Sequence, residues 1–180
     1  MFVVLGIGFS AALALMTAIL WSLAYPNLRL WPPSKSTIVS KLTVWGLTLV
    51  LFGSAILLGI NDWNSLEWGS ARWVLGTPLL VFGNVVVWRG VAEIGLDATS
   101  GDATGLETGG LYQYSRNPQY LADIAILVGW FILSASLWVL PVVLAGAVLL
   151  LLAPLAEERW LEDRYGDAYR NYRSRVRRYF

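Results

Sequence analysis

Long apolar runs separated by short polar breaks organise this chain. They predict membrane-spanning helices over residues 2–25, 42–60, 73–88, 119–134 and 138–156, with polar loops centred near 33, 66, 103 and 136. The last two spans need an argument, because residues 124–156 form 33 uncharged positions in a row. One helix of that length would reach about 50 Å at ~1.5 Å per residue, well beyond a hydrocarbon core of roughly 30 Å. The stretch must fold back, and Ser134-Ala135-Ser136 is the expected turn. The predicted fold is an all-α integral membrane protein of about five transmembrane helices, the last two a helical hairpin, followed by short C-terminal helices. Residues 1–180 read as one membrane domain, with a two-span part (1–70), core spans (71–156) and a tail (157–180).

Two polar segments break the pattern differently. Residues 96–110 are rich in Gly, Thr, Asp and Ser without an apolar period, which predicts a mobile connection or lid. In the tail, Leu161, Tyr165, Ala168, Tyr169, Tyr172 and Val176 recur at helical spacing, with charged residues on the other faces. Gly166 followed by Asp167 reads as a C-cap and a new N-cap, so two short helices are expected to meet there.

Composition agrees with a bilayer protein: 57% of residues are hydrophobic, 14% are charged, and there are ten tryptophans. The first charge is Arg29, so the first apolar run lacks the basic leader of a cleaved signal peptide and reads as a retained span. With no cysteine and no histidine, thiol nucleophiles, disulfides, histidine bases and the usual zinc sites are excluded. The net charge of +1 gives no reason to expect a nucleic-acid partner. Placement of charge is more informative. Five spans put twelve of the 13 Lys and Arg residues on one side, Lys35 included, and leave only Arg72 on the other. The positive-inside rule then predicts a cytoplasmic C-terminus and an external N-terminus. Trp21, Tyr25, Trp31, Trp63, Trp68, Trp73, Trp88 and Trp138 fall near span ends, as interfacial anchors do.

A hairpin returns two polar blocks to one membrane face: Gly110 to Tyr120, and Glu157-Glu158-Arg159-Trp160-Leu161. Pro118 suits the first turn of the fourth span, which places Arg116 and Asn117 at a helix N-terminus that favours anionic groups. Adjacent carboxylates at a span end repel each other unless a cation is near, so Arg116 is the natural partner for one of Glu157 and Glu158, and a cationic ligand would satisfy the pair. Asp123 is the only charge within the greasy stretch. It reads either as a base or ammonium partner for an amine substrate, or as a lock to Arg116, and the lock is favoured. Asn84 and Arg89 border the same region, where helix packing and snorkelling are the stronger readings.

The series Gly110-Leu111-Tyr112, Arg116-Asn117-Pro118-Gln119-Tyr120, Glu157-Glu158-x-x-Leu161 and Tyr165-Gly166-x-x-Tyr169-x-x-Tyr172 resembles the C-terminal half of the isoprenylcysteine carboxyl methyltransferase and phospholipid methyltransferase superfamily. The resemblance spans roughly residues 76–176. It implies an integral membrane enzyme that binds S-adenosylmethionine at the cytoplasmic face and takes a lipidic or small hydrophobic methyl acceptor from the membrane lipids. Carried over by position, Tyr112, Arg116, Asn117, Pro118 and Tyr120 would line the cofactor pocket, Glu157 and Glu158 would contact its polar groups, and Tyr165, Tyr169 and Tyr172 would close the site. Arg116 and Glu158 are the implied catalytic residues, and Asp123, a carboxylate within a span, is a third catalytic candidate on its own ground. The chain departs from the pattern at Asn117, often histidine; at Asp123, commonly small or apolar; and at Arg177, often proline.

Methyl transfer from a sulfonium does not require histidine or cysteine, since the leaving group is already activated; orientation and a dry pocket supply much of the help. Two other readings stand beside it. Membrane sterol reductases resemble the same core and bind NADPH, although a 2′-phosphate calls for more cations than Arg116 and Arg89. A non-catalytic membrane scaffold would keep the fold without cofactor affinity. The acceptor's identity and the oligomeric state are not encoded in any motif here.

Overall fold

The computed structural model describes residues 1–33, 37–102 and 105–179. Lys35, one of the cations counted above, and residues 103 and 104 of the polar loop lie outside them. Six α-helices follow in order: α1 (Phe2–Ala24), α2 (Ile38–Asn61), α3 (Ala71–Thr99), α4 (Pro118–Ser134), α5 (Leu140–Tyr165) and α6 (Asp167–Arg175). Short 3-10 turns occupy Pro26–Leu28, Gly110–Gln113 and Leu137–Val139. α1, α2, α3 and the segment Leu137–Tyr165 are long and apolar enough to cross a membrane; α4 is a shorter apolar helix of 17 residues. All-helical and multi-pass, the chain has the architecture the hydropathy pattern predicts.

The predicted hairpin forms, and its turn is where expected. Ala135 adopts a left-handed conformation (φ 46°) that ends α4 and lets its amide reach the Phe131 carbonyl at 2.9 Å. The turn is latched to the α2–α3 loop: the Asn64 amide donates to the Ser134 carbonyl at 2.7 Å, and the Ser136 hydroxyl donates to the Asp62 carboxylate at 2.6 Å. Arg72, the lone cation of this far end in the sequence reading, lies over Trp63 and Trp73 and donates to the Leu133 carbonyl at 3.3 Å. Those two tryptophans hold an arginine, which interfacial anchoring does not describe.

The packed core belongs to α1, α2, α4 and α5, where Ala12, Leu58 and Val142 are fully buried and Leu51 and Leu127 nearly so. α3 leans chiefly on α4. Gly76, Gly83 and Gly90, seven residues apart, let the two backbones approach. A Cβ at Gly83 would lie 2.7 Å from the Ala122 carbonyl oxygen, and one at Gly76 would lie 2.7 Å from the Leu133 amide nitrogen. Membrane helices have little hydrophobic drive to associate, so this close backbone packing supplies the attraction.

Two boundaries differ from expectation. The third span was predicted to end at 88, but α3 continues to Thr99, with Arg89 and Glu93 paired at 3.1 Å one turn apart. At Gly95 (φ 86°) it bends, and its last turn hooks over the start of α2. There Lys41 bridges Asp97 and Asp102, each at 2.8 Å, and the Trp45 indole donates to Ser100 at 3.1 Å. Charges that read as a loop are therefore the solvated end of a helix. In the tail, the first of the two expected short helices is absent as a separate element. α5 runs without interruption to Tyr165, carrying Glu157 and Glu158 on the same rod as the fifth span, and only α6 is new. Gly166 (φ 53°) makes the break as foreseen, but it serves as both caps, and Asp167 becomes the first residue of α6.

Candidate functional site

Four pieces meet at the tail end of the bundle: the first turn of α4, the last turns of α5, helix α6, and the α1–α2 connection. Each is fixed by local chemistry. Pro118 opens α4, where its missing N–H costs no hydrogen bond. Before it, the Ser115 hydroxyl donates to the Arg178 carbonyl at 3.2 Å, the Asn117 side-chain amide donates to that same carbonyl at 3.1 Å, and the Arg116 amide donates to the Arg177 carbonyl at 3.0 Å. The corner therefore clasps the residues that follow α6. Asn117, whose side chain the resemblance turns toward a cofactor, spends its amide on this clasp.

The two glutamates have separate environments. Glu158 is buried, and Arg178 binds it through two parallel contacts of 2.8 Å. Arg116 approaches the same carboxylate at 3.3 Å and also donates to the Tyr169 hydroxyl at 3.4 Å. The expected Arg116–glutamate pair is thus present, with a second arginine that spacing did not reveal. Among the described residues, no cation pairs with Glu157. One of its oxygens accepts from the Trp31 indole at 2.9 Å and from the Tyr120 hydroxyl. Trp31 is itself positioned by Ser22, whose hydroxyl oxygen accepts from the amides of Leu30 and Trp31 at 2.9 Å each. A residue read as an interfacial anchor is in fact a wall of the site.

The tyrosines close the remaining side. Tyr169 and Tyr172 are buried; the Tyr172 hydroxyl donates to the Tyr112 carbonyl at 2.6 Å, and the Tyr112 hydroxyl donates to the Gln119 side-chain oxygen at 3.3 Å. Burial pushes the Tyr169 phenol up to about 12 and raises Tyr112 and Tyr172 as well, so all three remain neutral donors at physiological pH. The Gly110 turn ahead of them is tied to α3: the Leu111 amide donates to Glu93 at 2.8 Å. Gly110 has φ 50°, and a Cβ there would collide with the Glu93 carboxylate, so glycine is required.

These pieces enclose a cavity of about 320 Å³. Tyr112, Arg116, Asn117, Tyr120, Asp123, Glu157, Glu158, Tyr165 and Tyr169 all lie on its wall, as does Tyr172. Pro118 is buried behind the wall rather than on it. The cavity continues between the helices, where Ile19, Val44, Val87, Val91, Leu149 and Ala153 make it apolar. Gln119, absent from the sequence-based site, also lines it. Two buried donors, Arg116 Nε and Gln119 Nε2, have no partner among the described residues.

The favoured lock between Asp123 and Arg116 does not form. Arg116 lies ahead of α4, and its guanidinium turns to Glu158 and Tyr169. Asn84 and Arg89 are not on the cavity wall: Asn84 donates to its own helix at Leu80, and Arg89 is exposed beside Glu93, as helix packing and snorkelling predict. Among the described residues no cluster of acidic side chains suits a metal ion.

A pocket that is polar at one end and open to spanning helices at the other suits a reaction between a water-soluble and a membrane-dissolved partner. Among curated proteins and solved structures none matches the chain. The sequence profile of the phospholipid methyltransferase family matches residues 71–168, a segment that holds α3, α4, α5 and both polar blocks. Because that match covers more than half of the sequence, the chain belongs to the phospholipid methyltransferase family, and it is a multi-pass membrane protein of that methyltransferase family.

Proposed function

We propose that this protein is an S-adenosylmethionine-dependent methyltransferase acting on a lipidic or small hydrophobic acceptor, with its tail end facing the cytoplasm. The observation that carries the reading is the single cavity in which Arg116, Glu157 and Glu158 share a wall with apolar side chains of the spans. The residues present fit the cofactor. Arg116 Nε and Gln119 Nε2 are buried donors suited to a carboxylate, and the second oxygen of Glu157, which no described residue hydrogen-bonds, suits a cationic centre. Tyr112, Tyr120, Tyr165 and Tyr169 supply aromatic faces and hydroxyls around them. Asn117, on the wall, and Pro118, behind it, shape the α4 start.

When bound, the cofactor supplies a methyl group on a sulfonium sulfur, already activated for transfer. The chain's part is to orient and to exclude water. Trp31 and Tyr120 hold one oxygen of the Glu157 carboxylate, and Glu157 lies on the wall of the chamber. Arg116 and Arg178 hold the Glu158 carboxylate in place. The tyrosine layer of α6 separates the chamber from the aqueous side, and a dry chamber strengthens every charge interaction within it. A nicotinamide cofactor with a 2′-phosphate is a poor fit. Arg116 is the only cation on the wall among the described residues, and it already pairs with Glu158.

Isothermal titration in detergent tests the reading. S-adenosylhomocysteine should bind, NADPH should not, and Arg116→Ala should weaken S-adenosylhomocysteine at least about tenfold, the loss of a charged hydrogen bond. Binding of NADPH with no binding of S-adenosylhomocysteine would favour the reductase reading. A folded protein that binds neither would be a scaffold.

A further inference from the structure

We infer that Asp123 is a catalytic residue that recognises the acceptor, and that this acceptor is a membrane-partitioning amine with no phosphate beside its nitrogen. The inference rests on the methyltransferase reading above. Asp123 lies on the cavity wall, yet no hydrogen bond or ion pair reaches it among the described residues. An ionisable side chain left without a partner within a spanning segment is a candidate for ligand binding.

Its depth assigns it to the acceptor. Tyr120 meets Glu157, and Asp123 follows on the same face of α4 about one turn, roughly 4.5 Å, further from the polar mouth. Because α5 runs antiparallel to α4, that level corresponds to Ala153, with Leu149 one turn deeper, and both line the apolar part of the chamber. The polar partners fitted to the cofactor lie at the mouth. What reaches Asp123 comes from the spans.

Charge then selects the acceptor's chemistry. Among the described residues, Asp123 and Glu157 give this part of the wall two carboxylates and no cation, since the one arginine on the wall is engaged with Glu158. A carboxylate acceptor would be repelled, and a thiol would leave Asp123 without a counter-charge. A phospholipid headgroup brings an amine together with a phosphodiester, and no described residue at this level neutralises that phosphate. The acceptor therefore departs from the one in the family's description.

The step balances. A substrate ammonium pairs with the Asp123 carboxylate and gives it one proton, favoured in an apolar wall because two neutral partners need less solvation than an ion pair. The freed nitrogen lone pair forms the N–CH₃ bond as the C–S bond of the sulfonium donor breaks, and the electron pair of that bond stays on sulfur. The product is a methylated ammonium and a neutral thioether.

The test sets dodecylamine against phosphatidylethanolamine vesicles, dodecanoate and dodecanethiol, with methyl transfer from radiolabelled S-adenosylmethionine as one readout. A second readout, without any cofactor, is the shift in thermal midpoint that dodecylamine causes in fixed detergent. Wild-type protein should methylate dodecylamine and none of the other three, and dodecylamine should raise its midpoint. Asp123→Asn should lose about a hundredfold or more in transfer, the scale of a lost proton acceptor, and should lose the midpoint shift while binding S-adenosylhomocysteine as before. Preferential methylation of the vesicles, the alkanoate or the thiol overturns the inference, and so does an Asp123→Asn protein that transfers to dodecylamine as well as wild type. If the variant does not fold, the wild-type acceptor panel decides alone. Failure to bind S-adenosylhomocysteine would instead defeat the parent reading, so the two failures are distinguishable.

Discussion

Replacing Glu158 by Ala gives the sharpest check on the charge cluster at the tail end. The carboxylate is buried between two guanidinium groups; the Arg116 side chain is 9% exposed and that of Arg178 is 37% exposed. In the variant Arg116 keeps the Tyr169 hydroxyl at 3.4 Å, but its Nε has no partner among the described residues, so a nearly buried cation is left uncompensated. Removing one partner of a buried pair costs about 3–5 kcal/mol. The Arg178 contact, largely solvated on the arginine side, adds only about 0–1 kcal/mol. For a chain of this size about 2–4 °C of thermal midpoint accompanies each kcal/mol, so Glu158→Ala should melt roughly 6–24 °C below wild type in the same detergent. Arg178→Ala should lose only a few degrees, because Glu158 retains Arg116. The double variant Arg116→Ala/Glu158→Ala should be more stable than Glu158→Ala alone, since the stranded cation goes with its partner. Circular dichroism melts of the four proteins read out the series. The argument fails if Glu158→Ala is no worse than Arg178→Ala, or if the double variant is the least stable of all.

Two further outcomes follow from geometry. Gly83→Ala sets a Cβ 2.7 Å from the Ala122 carbonyl oxygen, whereas Gly53→Ala meets nothing within 4 Å; the first should destabilise by about 1–3 kcal/mol, and the second should be neutral or mildly stabilising, with thermal melts again the measure. Trp31→Phe keeps the ring and removes the indole donor to Glu157. It should weaken S-adenosylhomocysteine binding in the wild-type background and have no effect in a Glu157→Gln background, which a double-mutant cycle by calorimetry distinguishes from a packing defect.

Much of this architecture is written locally in the chain. Thirty-three uncharged residues that cannot be one helix forced a reversal near Ala135, and the reversal alone brings Arg116 to Glu158. Aromatic spacing in the tail marked Tyr165, Tyr169 and Tyr172 for the same wall. What stayed hidden depends on contacts remote in sequence. Arg178 was one of seven tail arginines, and nothing in its spacing distinguishes the one whose carbonyl Ser115 and Asn117 hold. Trp31 stands at a span end, where anchoring explains any tryptophan; only folding puts it beside a residue 126 positions away. Gln119 faces the chamber from the same short turn as Tyr120, but a single amide in a polar block carries no period. The third span was cut short because Arg89, Glu93 and Asp97 end a hydropathy window, although charges are compatible with a helix that rises out of the bilayer.

The clasp around the Arg177 and Arg178 carbonyls has a practical bearing on how this protein should be handled. A purification handle fused behind residue 180 would leave the chain within two residues of that clasp, and its drag or charge would be transmitted to the neighbouring glutamate. A handle fused ahead of Met1 emerges at the opposite end of the bundle, where Phe2 stacks edge-on against Trp138 at 4.7 Å. Ligand affinities measured with the two placements should therefore differ, and the amino-terminal fusion is the one that reports on the native pocket.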